Sequence, residues 1–497
     1  MKSLFYRILI LTSILAGTSS CAKWLDVLPK TSVEQEDLFS RETGFKDALT
    51  GFYLLMGTET LYAQDLSYHY IEMLAGRYDQ APNMVNWSSI YAYDGTYQTT
   101  VNSIYSKMYN IIANVNNFLH FIDAKREVIT TPDYYETMKG EALGLRAFLH
   151  FDLLRLFGPI YSENPTGRAI PYRTSFDNHA TPILPANEVL DHCIADLLEA
   201  EELLDGHDSE IFNFDDTADP FTEMRQMRMN LWAVRAMLAR AYCYKGDAES
   251  KKLALQYATQ VIESGKFSLT PSEGIAQTPL RPTEQIFALY IYDYYQIVDP
   301  IFKNSSNSTI LSVDESDVTM WYEYRSGGSS EDRLDYFKLV VNDQASDKAN
   351  KQLLKRYDMS VYPNSRDNYD GYNSQPLIRL SEMYYIAAEC EPDPDTAASY
   401  LDEVIYTRSG RPNYTLTTGF DQTDSRQIFN MTTGKTVRVN ELMKEYVKDF
   451  YGEGQLFFFY KRHNFHTFSN CPAPNDDMST HYQLPLPNDE YTFGNNN

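Results

Sequence analysis

Two stretches of the chain set flat aromatic rings beside hydrogen-bonding side chains, a combination that suits a ligand with flat apolar faces and polar edges. The first, GRYDQAPNMVNWSSIYAYDGTY at 76–97, offers Arg77, Asp79, Asn83, Trp87, Tyr91 and Tyr93. The second offers Tyr292, Tyr294 and Tyr295, then Trp321, Tyr322 and Tyr324 in MWYEYR. A pyranose presents a patch of C–H groups edged by hydroxyls. An aromatic face matches the patch, and polar side chains match the edge. Trp87 and Trp321 lead the set: a Trp in a polar loop has no helical stripe to bury it, and indole is the largest stacking surface. The alternative is that each Trp pins its loop to the helices beneath. Trp232 differs, because it lies on a helical stripe and reads as core.

Motifs for bond-breaking chemistry are missing. There is no GxxxxGK[ST] or GxGxxG fingerprint, no GxSxG elbow and no HExxH helix. His463 and His466 have HxxH spacing without an acidic third ligand and are expected on a solvated surface. Asp215-Asp216 and NYDGYN at 368–373 carry oxygen ligands that suit calcium, but neither has the full pattern of a calcium loop. No metal and no cofactor is assigned. A glycoside hydrolase needs two carboxylates facing each other across a sugar. With 68 Asp and Glu in the chain, such pairs arise by chance and decide little. The chain reads as a binding protein, not an enzyme.

Composition agrees. The 497 residues carry a formal charge of −25, which repels phosphate backbones and argues against nucleic acid. Tyr is the dominant aromatic, 39 against 26 Phe and 4 Trp, and it tolerates half burial because its face is apolar and its tip polar. Cys21, Cys193, Cys243, Cys390 and Cys471 show no CxxC or zinc spacing, and no disulfide framework is expected.

The start, MKSLFYRILILTSILAGTSSC, has a basic flank in Lys2 and Arg7, an apolar run from Ile8 to Ala16 and small residues to Ser20. This is a secretory signal over residues 1–20, too short to span a bilayer. The small residues end at Cys21, as in a bacterial lipobox, although Thr18 stands where such motifs usually carry Leu. Acylation of Cys21 would hold the mature chain to a membrane, at about 0.8 kcal/mol per buried methylene.

Helical spacing runs through 99–123, 133–157, 186–205, 229–245, 250–265, 377–409 and about 440–451. The segments 133–157 and 229–245 each carry two apolar stripes, so both are expected to be buried on two sides. Gly246-Asp247 suits a tight turn, with Gly closing one helix and Asp capping the next. Helix, tight turn and helix, with Ala at crowded positions, is the unit of a tetratricopeptide-like array. Polar-aromatic stretches at 63–98, 206–228, 275–336, 357–376 and 410–436 read as ordered, irregular insertions. Short strands are expected at 284–292 and 308–313.

These helices carry a resemblance. GEALGLRAFLHFDLLRLFGPI at 140–160 is similar to the most recognisable helix of the SusD/RagB family, surface lipoproteins of Bacteroidetes nutrient-uptake systems. WLDVLPK after Cys21, WAVRAMLARAYCYKGD, SGKFSL at 264–269 and LIRLSEMYYIAAEC with YLDEVIYTRSGRP resemble further family segments in order. KEYVKDFYGEGQLFFFYKR at 444–462 and the final YQLPLPNDE complete the set, with Leu456 and Phe459 standing where the family commonly has Arg and Asp. The resemblance implies a mainly α fold: a tetratricopeptide-like scaffold of about four helix pairs, long irregular insertions and few short strands. It implies a single unit over 21–497, with an N-terminal region at 21–215 and a C-terminal region at 275–497. It further implies anchorage in the outer membrane facing outward and a complex with a TonB-dependent, SusC-like transporter. The implied activity is oligosaccharide capture by the insertion aromatics, without turnover. Oligopeptide binding of the RagB type, a glycoside hydrolase and a purely structural repeat protein are the competing readings.

Overall fold

The computed structural model describes residues 35–78, 87–208, 210–211, 219–271, 280–302, 311, 313–323, 333–334, 338–340, 350–352, 373–409, 417–471 and 477–492. In chain order the main helices are α1 (Glu42–Met56), α2 (Tyr70–Leu74), α3 (Trp87–Ala92), α4 (Gly95–Ala124), α5 (Tyr134–Phe157), α6 (Ala186–Leu204), α7 (Leu231–Lys245) and α8 (Ala248–Glu263). They continue with α9 (Tyr294–Phe302), α10 (Glu315–Trp321), α11 (Leu380–Cys390), α12 (Pro394–Ser409), α13 (Val437–Asp449), α14 (Leu456–Arg462) and α15 (Asn488–Thr492). The strands are β1 (Arg168–Pro171), β2 (Ile183–Pro185), β3 (Gln285–Tyr290), β4 (Val313–Asp314), β5 (Lys338–Val340), β6 (Asn350–Gln352) and β7 (Ser374–Arg379).

Helix α5 shows why the array holds together. Every residue from Gly140 to Phe157 is buried, as its two apolar stripes require. α5 packs on α4 and α6, α6 on α7, α7 on α8, α8 on α11, and α11 on α12. The consecutive pairs α4/α5, α7/α8, α11/α12 and α13/α14 form the expected tetratricopeptide-like scaffold. Gly140 permits the close α5–α6 approach: a Cβ there would lie 2.7 Å from Leu204 Cγ and 3.1 Å from the Ala200 carbonyl. At the α7–α8 turn Gly246 takes φ 74°, and the Asp247 carboxylate accepts from the N–H groups of Glu249 and Ser250, which opens α8. The far end of α5 is closed from another part of the chain. Buried Lys461 donates to the carbonyls of Arg155 and Gly158 at 2.7 Å each and Leu156 at 3.3 Å. These carbonyls end the helix, where a cation is favoured, although burial and the neighbouring Arg155 charge pull the Lys461 ammonium well below the usual lysine range.

The sheets are small: β1 pairs with β2, β3 with β7, and β6 lies between β4 and β5. β3 and β7 run antiparallel from Gln285 opposite Arg379 to Tyr290 opposite Ser374. This corrects one boundary, since Leu377, Ile378 and Arg379 are strand, and the helix begins only at Leu380. The mouth of that strand pair is tied by buried ions. Arg379 donates to Glu453 at 2.8 Å, Glu284 at 2.9 Å and Asp449 at 3.0 Å. Arg408 from α12 grips Glu284 at 2.6 and 2.7 Å. Burial opposes charge on Glu284, yet Arg408, Arg281 and Arg379 outweigh it and hold the carboxyl down at about 2. These groups are satisfied structurally, so removing one partner would strand the rest.

The irregular insertions hold more helix than their composition suggests, in α2, α3, α9 and α10. Leu456 and Phe459 are buried and apolar, with the Phe459 ring 4.4 Å from that of Tyr446. The HxxH pair also differs from expectation. His466 is exposed against Asp477 at 2.8 Å, but His463 is largely buried, 3.5 Å from Glu389. Trp232 sits half-buried at the edge of the core. Cys193, Cys243, Cys390 and Cys471 are free thiols. Among the described residues no helix is long and apolar enough to cross a membrane, and no three acidic, His or Cys side chains cluster as metal ligands. Asp215, Asp216 and 368–372 lie outside the described residues.

Candidate functional site

The two aromatic insertions converge. Arg77, just after α2, lays its guanidinium 4.6 Å from the Trp321 ring of α10 and 4.1 Å from that of Tyr451. It also donates to the Val447 carbonyl at 2.5 Å, while Tyr451 Oη donates to the Arg77 carbonyl at 2.8 Å. Trp321 Nε1 donates to Ser469 Oγ at 3.1 Å, and Asn470 Nδ2 to Asp317 at 2.8 Å. Gly76 must be glycine here: at φ 66°, a Cβ would lie 2.8 Å from the Asn470 carbonyl. Segments distant in sequence thus meet over the end of α13.

The meeting point is a packed floor. Trp321 is only 1% exposed, and Arg77, Tyr91, Tyr93, Tyr294 and Tyr322 are also buried. This corrects the expectation that these six stand in a free-facing platform. The physical reason is the same for each: the ring or guanidinium finds apolar cover and its polar tip finds a backbone or side-chain acceptor. Tyr91 Oη donates to the Leu74 carbonyl at 2.9 Å and Tyr322 Oη to Lys448 O at 2.9 Å. Tyr294 Oη donates to Gln375 Oε1 at 2.7 Å, and Tyr93 Oη to His481 O. Trp321 therefore pins its loop. Asp79, Asn83, Tyr324 and the Trp87 side chain lie outside the described residues, as does Cys21.

Electrostatics act on the floor in both directions. Glu72 is fully buried 3.4 Å from Arg77 Nε and accepts from Gly454 N at 2.9 Å. Burial pushes its carboxyl up to about 7 against the pull of Arg77 and the N–H groups of Gly454 and Gly452. Glu323, following α10, is clamped by Lys444 and Lys448 at 2.8 Å each. Burial opposes its charge, but the two lysines outweigh burial and bring it down to about 2. Tyr93, Asp293, Glu323 and Asn470 all adopt positive φ, at 53°, 51°, 52° and 57°. Such backbone costs roughly 1 kcal/mol or more per residue and is held by the packing around it; five further described non-glycine residues share it, among them Asp133 and Arg281.

Aromatic faces do reach solvent at one edge of this floor. Tyr292 is 76% exposed and Tyr290 47%, while Leu289 and Ile291 between them turn inward. Tyr290 ends β3 and Tyr292 begins the turn that leads into α9, so the two exposed rings flank the inward-facing Ile291. Tyr295, at the start of α9, is half-buried beside Gln296. The support beneath is rigid, because Ile291 N donates to Asn373 O at 2.6 Å and Leu289 and Ile291 enter the core. Of the residues expected to contact ligand, Tyr292 and Tyr295 thus remain accessible among those described. Tyr290 was missed, although the in–out alternation of LYIY is legible in the sequence.

Family comparison agrees with this architecture. A model of SusD-like proteins, described as starch-binding and associating with the outer membrane, matches residues 23–243. A model of the SusD family matches residues 302–492. The chain belongs to the SusD/RagB family. Solved SusD-type structures share the fold. A SusD superfamily protein from Bacteroides thetaiotaomicron is 20% identical with a TM-score of 0.66, covering 91% of this chain and 98% of its own. A SusD homolog from the same species is 17% identical with a TM-score of 0.67, covering 93% and 97%. A SusD-like carbohydrate binding protein from Bacteroides vulgatus is 19% identical with a TM-score of 0.64, covering 92% and 97%. No curated protein matches the chain in sequence. At these identities the shared property is the SusD-like helical fold; the β3 tyrosines and their surroundings are read from this chain alone.

Proposed function

We propose that this SusD-like protein captures oligosaccharides at the cell surface and delivers them to a TonB-dependent, SusC-like transporter, without cleaving them. The observation that carries the reading is the exposed pair Tyr290 and Tyr292, at the end of a strand whose other residues are locked into the core. Successive sugar rings stack on such a pair, and Tyr295 extends the surface towards the adjoining insertions. The starch-binding description of the matching family model supports a glycan over a peptide. The strong acidity of the chain favours a neutral or cationic ligand over an anionic one.

Binding without turnover is supported by the state of several buried carboxylates, while Glu72, which burial pushes up to about 7, is sealed beneath the floor at 0% exposure. Glu141 is held by Arg225 and Arg228 at 2.9 Å each, Glu382 by Arg240 at 2.6 Å, and Glu284 by Arg408 at 2.6 Å. A carboxylate saturated by guanidinium is a poor proton donor or nucleophile. Cys21 is proposed as the acylated residue that anchors the chain to the outer membrane, facing outward. Electrophoresis through gels containing neutral polysaccharides tests binding: retardation by at least one polymer, with no new reducing ends after prolonged incubation, is expected. New reducing ends would instead assign a hydrolase, and retention by oligopeptides alone would assign the peptide-binding alternative.

A further inference from the structure

A cleft lined by none of the β3 tyrosines lies elsewhere on the molecule. It encloses about 570 Å³ between the middle of α4, the 171–181 loop and the C-terminal turn at Pro487–Glu490. That volume falls within the range of small-molecule sites. Tyr105 and Tyr109 form its wall, with ring centroids 4.7 Å apart. Tyr105 is fixed edge-on against Phe157 at 5.0 Å, and Tyr109 Oη donates to the Pro171 carbonyl at 2.7 Å, leaving the half-buried Tyr109 ring at the cleft.

The other two walls are built rather than loose. Arg173 N donates to His150 Nε2 at 3.1 Å, and Asn116 Nδ2 donates to the Arg173 carbonyl at 3.0 Å. The Arg173 guanidinium then clasps its own loop through the carbonyls of His179 at 2.8 Å and Asp177 at 2.9 Å. The C-terminal segment is tied to the end of α5 by Leu484 N to Leu156 O at 3.0 Å and Gln483 Nε2 to Phe157 O at 2.9 Å. A preorganised wall lowers the ordering cost of binding.

We propose that this cleft is a second binding site, taking a short neutral oligosaccharide. Tyr109 supplies the stacking face, while the exposed amides of Asn110 and Asn178 read hydroxyls, beside a Glu490 carboxylate that the Tyr105 hydroxyl holds in the wall. The carboxylates of Asp177, Asp489 and Glu490 outnumber the Arg173 guanidinium, which Asp177 already pairs at 3.3 Å, and His179 lies against the same Asp177, so anionic sugars and phosphates are disfavoured. The neighbouring cavity of about 600 Å³, on the other side of the same loop, has no tyrosine, and its cations are engaged: Arg146 with Asp196 at 2.6 Å and Lys139 with Asp123 at 3.0 Å. The sugar class rests on the proposed function; the shape and chemistry of the cleft do not.

The test uses the full mature chain in calorimetric titrations with neutral malto-, cello-, xylo- and manno-oligosaccharides, with oligogalacturonate and hexalysine as contrasting probes. Asn110→Trp fills the cleft from an exposed position, and Asn178→Ala removes one reader without touching the core. Two binding events are expected in the wild type for at least one neutral probe. N110W loses one of them, N178A weakens the same one, and Tyr292→Ala loses the other. An N110W isotherm identical to wild type overturns the proposal, as does binding only to hexalysine or oligogalacturonate, or to none of the probes. Loss of all binding in Y292A with N110W unchanged sinks this second site and leaves the β3 site standing; the reverse pattern sinks the β3 reading and keeps this one.

Discussion

Replacing Trp321 separates a packed floor from an exposed platform. The indole is 1% exposed, lies under the Arg77 guanidinium at 4.6 Å and donates to Ser469 at 3.1 Å. Truncating a buried Trp to Ala costs about 3–5 kcal/mol, because transfer free energy is lost and the cavity closes only in part. Arg77 also loses one of its two aromatic faces, a share of roughly 0.5–2 kcal/mol within that total. At roughly 2 cal/mol/K of unfolding entropy per residue, a chain of this length carries about 1 kcal/mol/K. Trp321→Ala is therefore expected to lower the melting midpoint by about 3–5 °C in a cooperative transition. Trp321→Phe, which keeps a ring under Arg77, should recover about half of that. Tyr292→Ala, at an exposed site, should stay within about 0.5 kcal/mol of wild type. Differential scanning calorimetry of the three variants reads this directly. A Trp321→Ala protein as stable as wild type would refute the burial argument and return the indole to the binding surface.

Glu72 gives a pH signature. Its folded pKa of about 7 lies above the ordinary glutamate value of 4.5, so this group favours the folded state while protonated, and that contribution fades as pH rises through 7. Between pH 6 and pH 8 it amounts to roughly 1 kcal/mol, and Glu72→Gln should remove it from the pH dependence of unfolding. A difference curve, wild type minus variant, that stays flat over that range would contradict the reading. Lys461→Met leaves the carbonyls of Arg155, Leu156 and Gly158 without their cation and should cost roughly 2–5 kcal/mol in urea unfolding. Retention of wild-type stability would show that water replaces the ammonium at no cost. Cells fed radiolabelled fatty acid should label the wild-type chain but not Cys21→Ala, and label on the variant would remove the anchor from Cys21.

The scaffold was legible because its signals are local and redundant. In α5 the doubled apolar stripes, and at the α7–α8 turn the Gly246-Asp247 pair, encode both the elements and their burial. The insertions were harder. Leu377–Arg379 continue an apolar run into α11, and only pairing with β3, distant in the chain, makes them strand. Trp321 shows the same limit at the site. Its surroundings in sequence are polar, while the groups that bury it, Arg77, Tyr451 and Ser469, come from elsewhere in the chain. Tyr290 is the opposite case: its alternation with Leu289 and Ile291 is local and visible, yet a tyrosine inside a strand reads as packing until its open face is seen.

The most direct measurement is the affinity of the Tyr290→Ala/Tyr292→Ala double variant for whichever neutral glycan retards the wild-type protein, read alongside its melting curve. Retained stability with binding at the β3 edge abolished is the expected result. A double variant that melts normally and binds that glycan in full would contradict the central claim that these exposed rings hold the sugar.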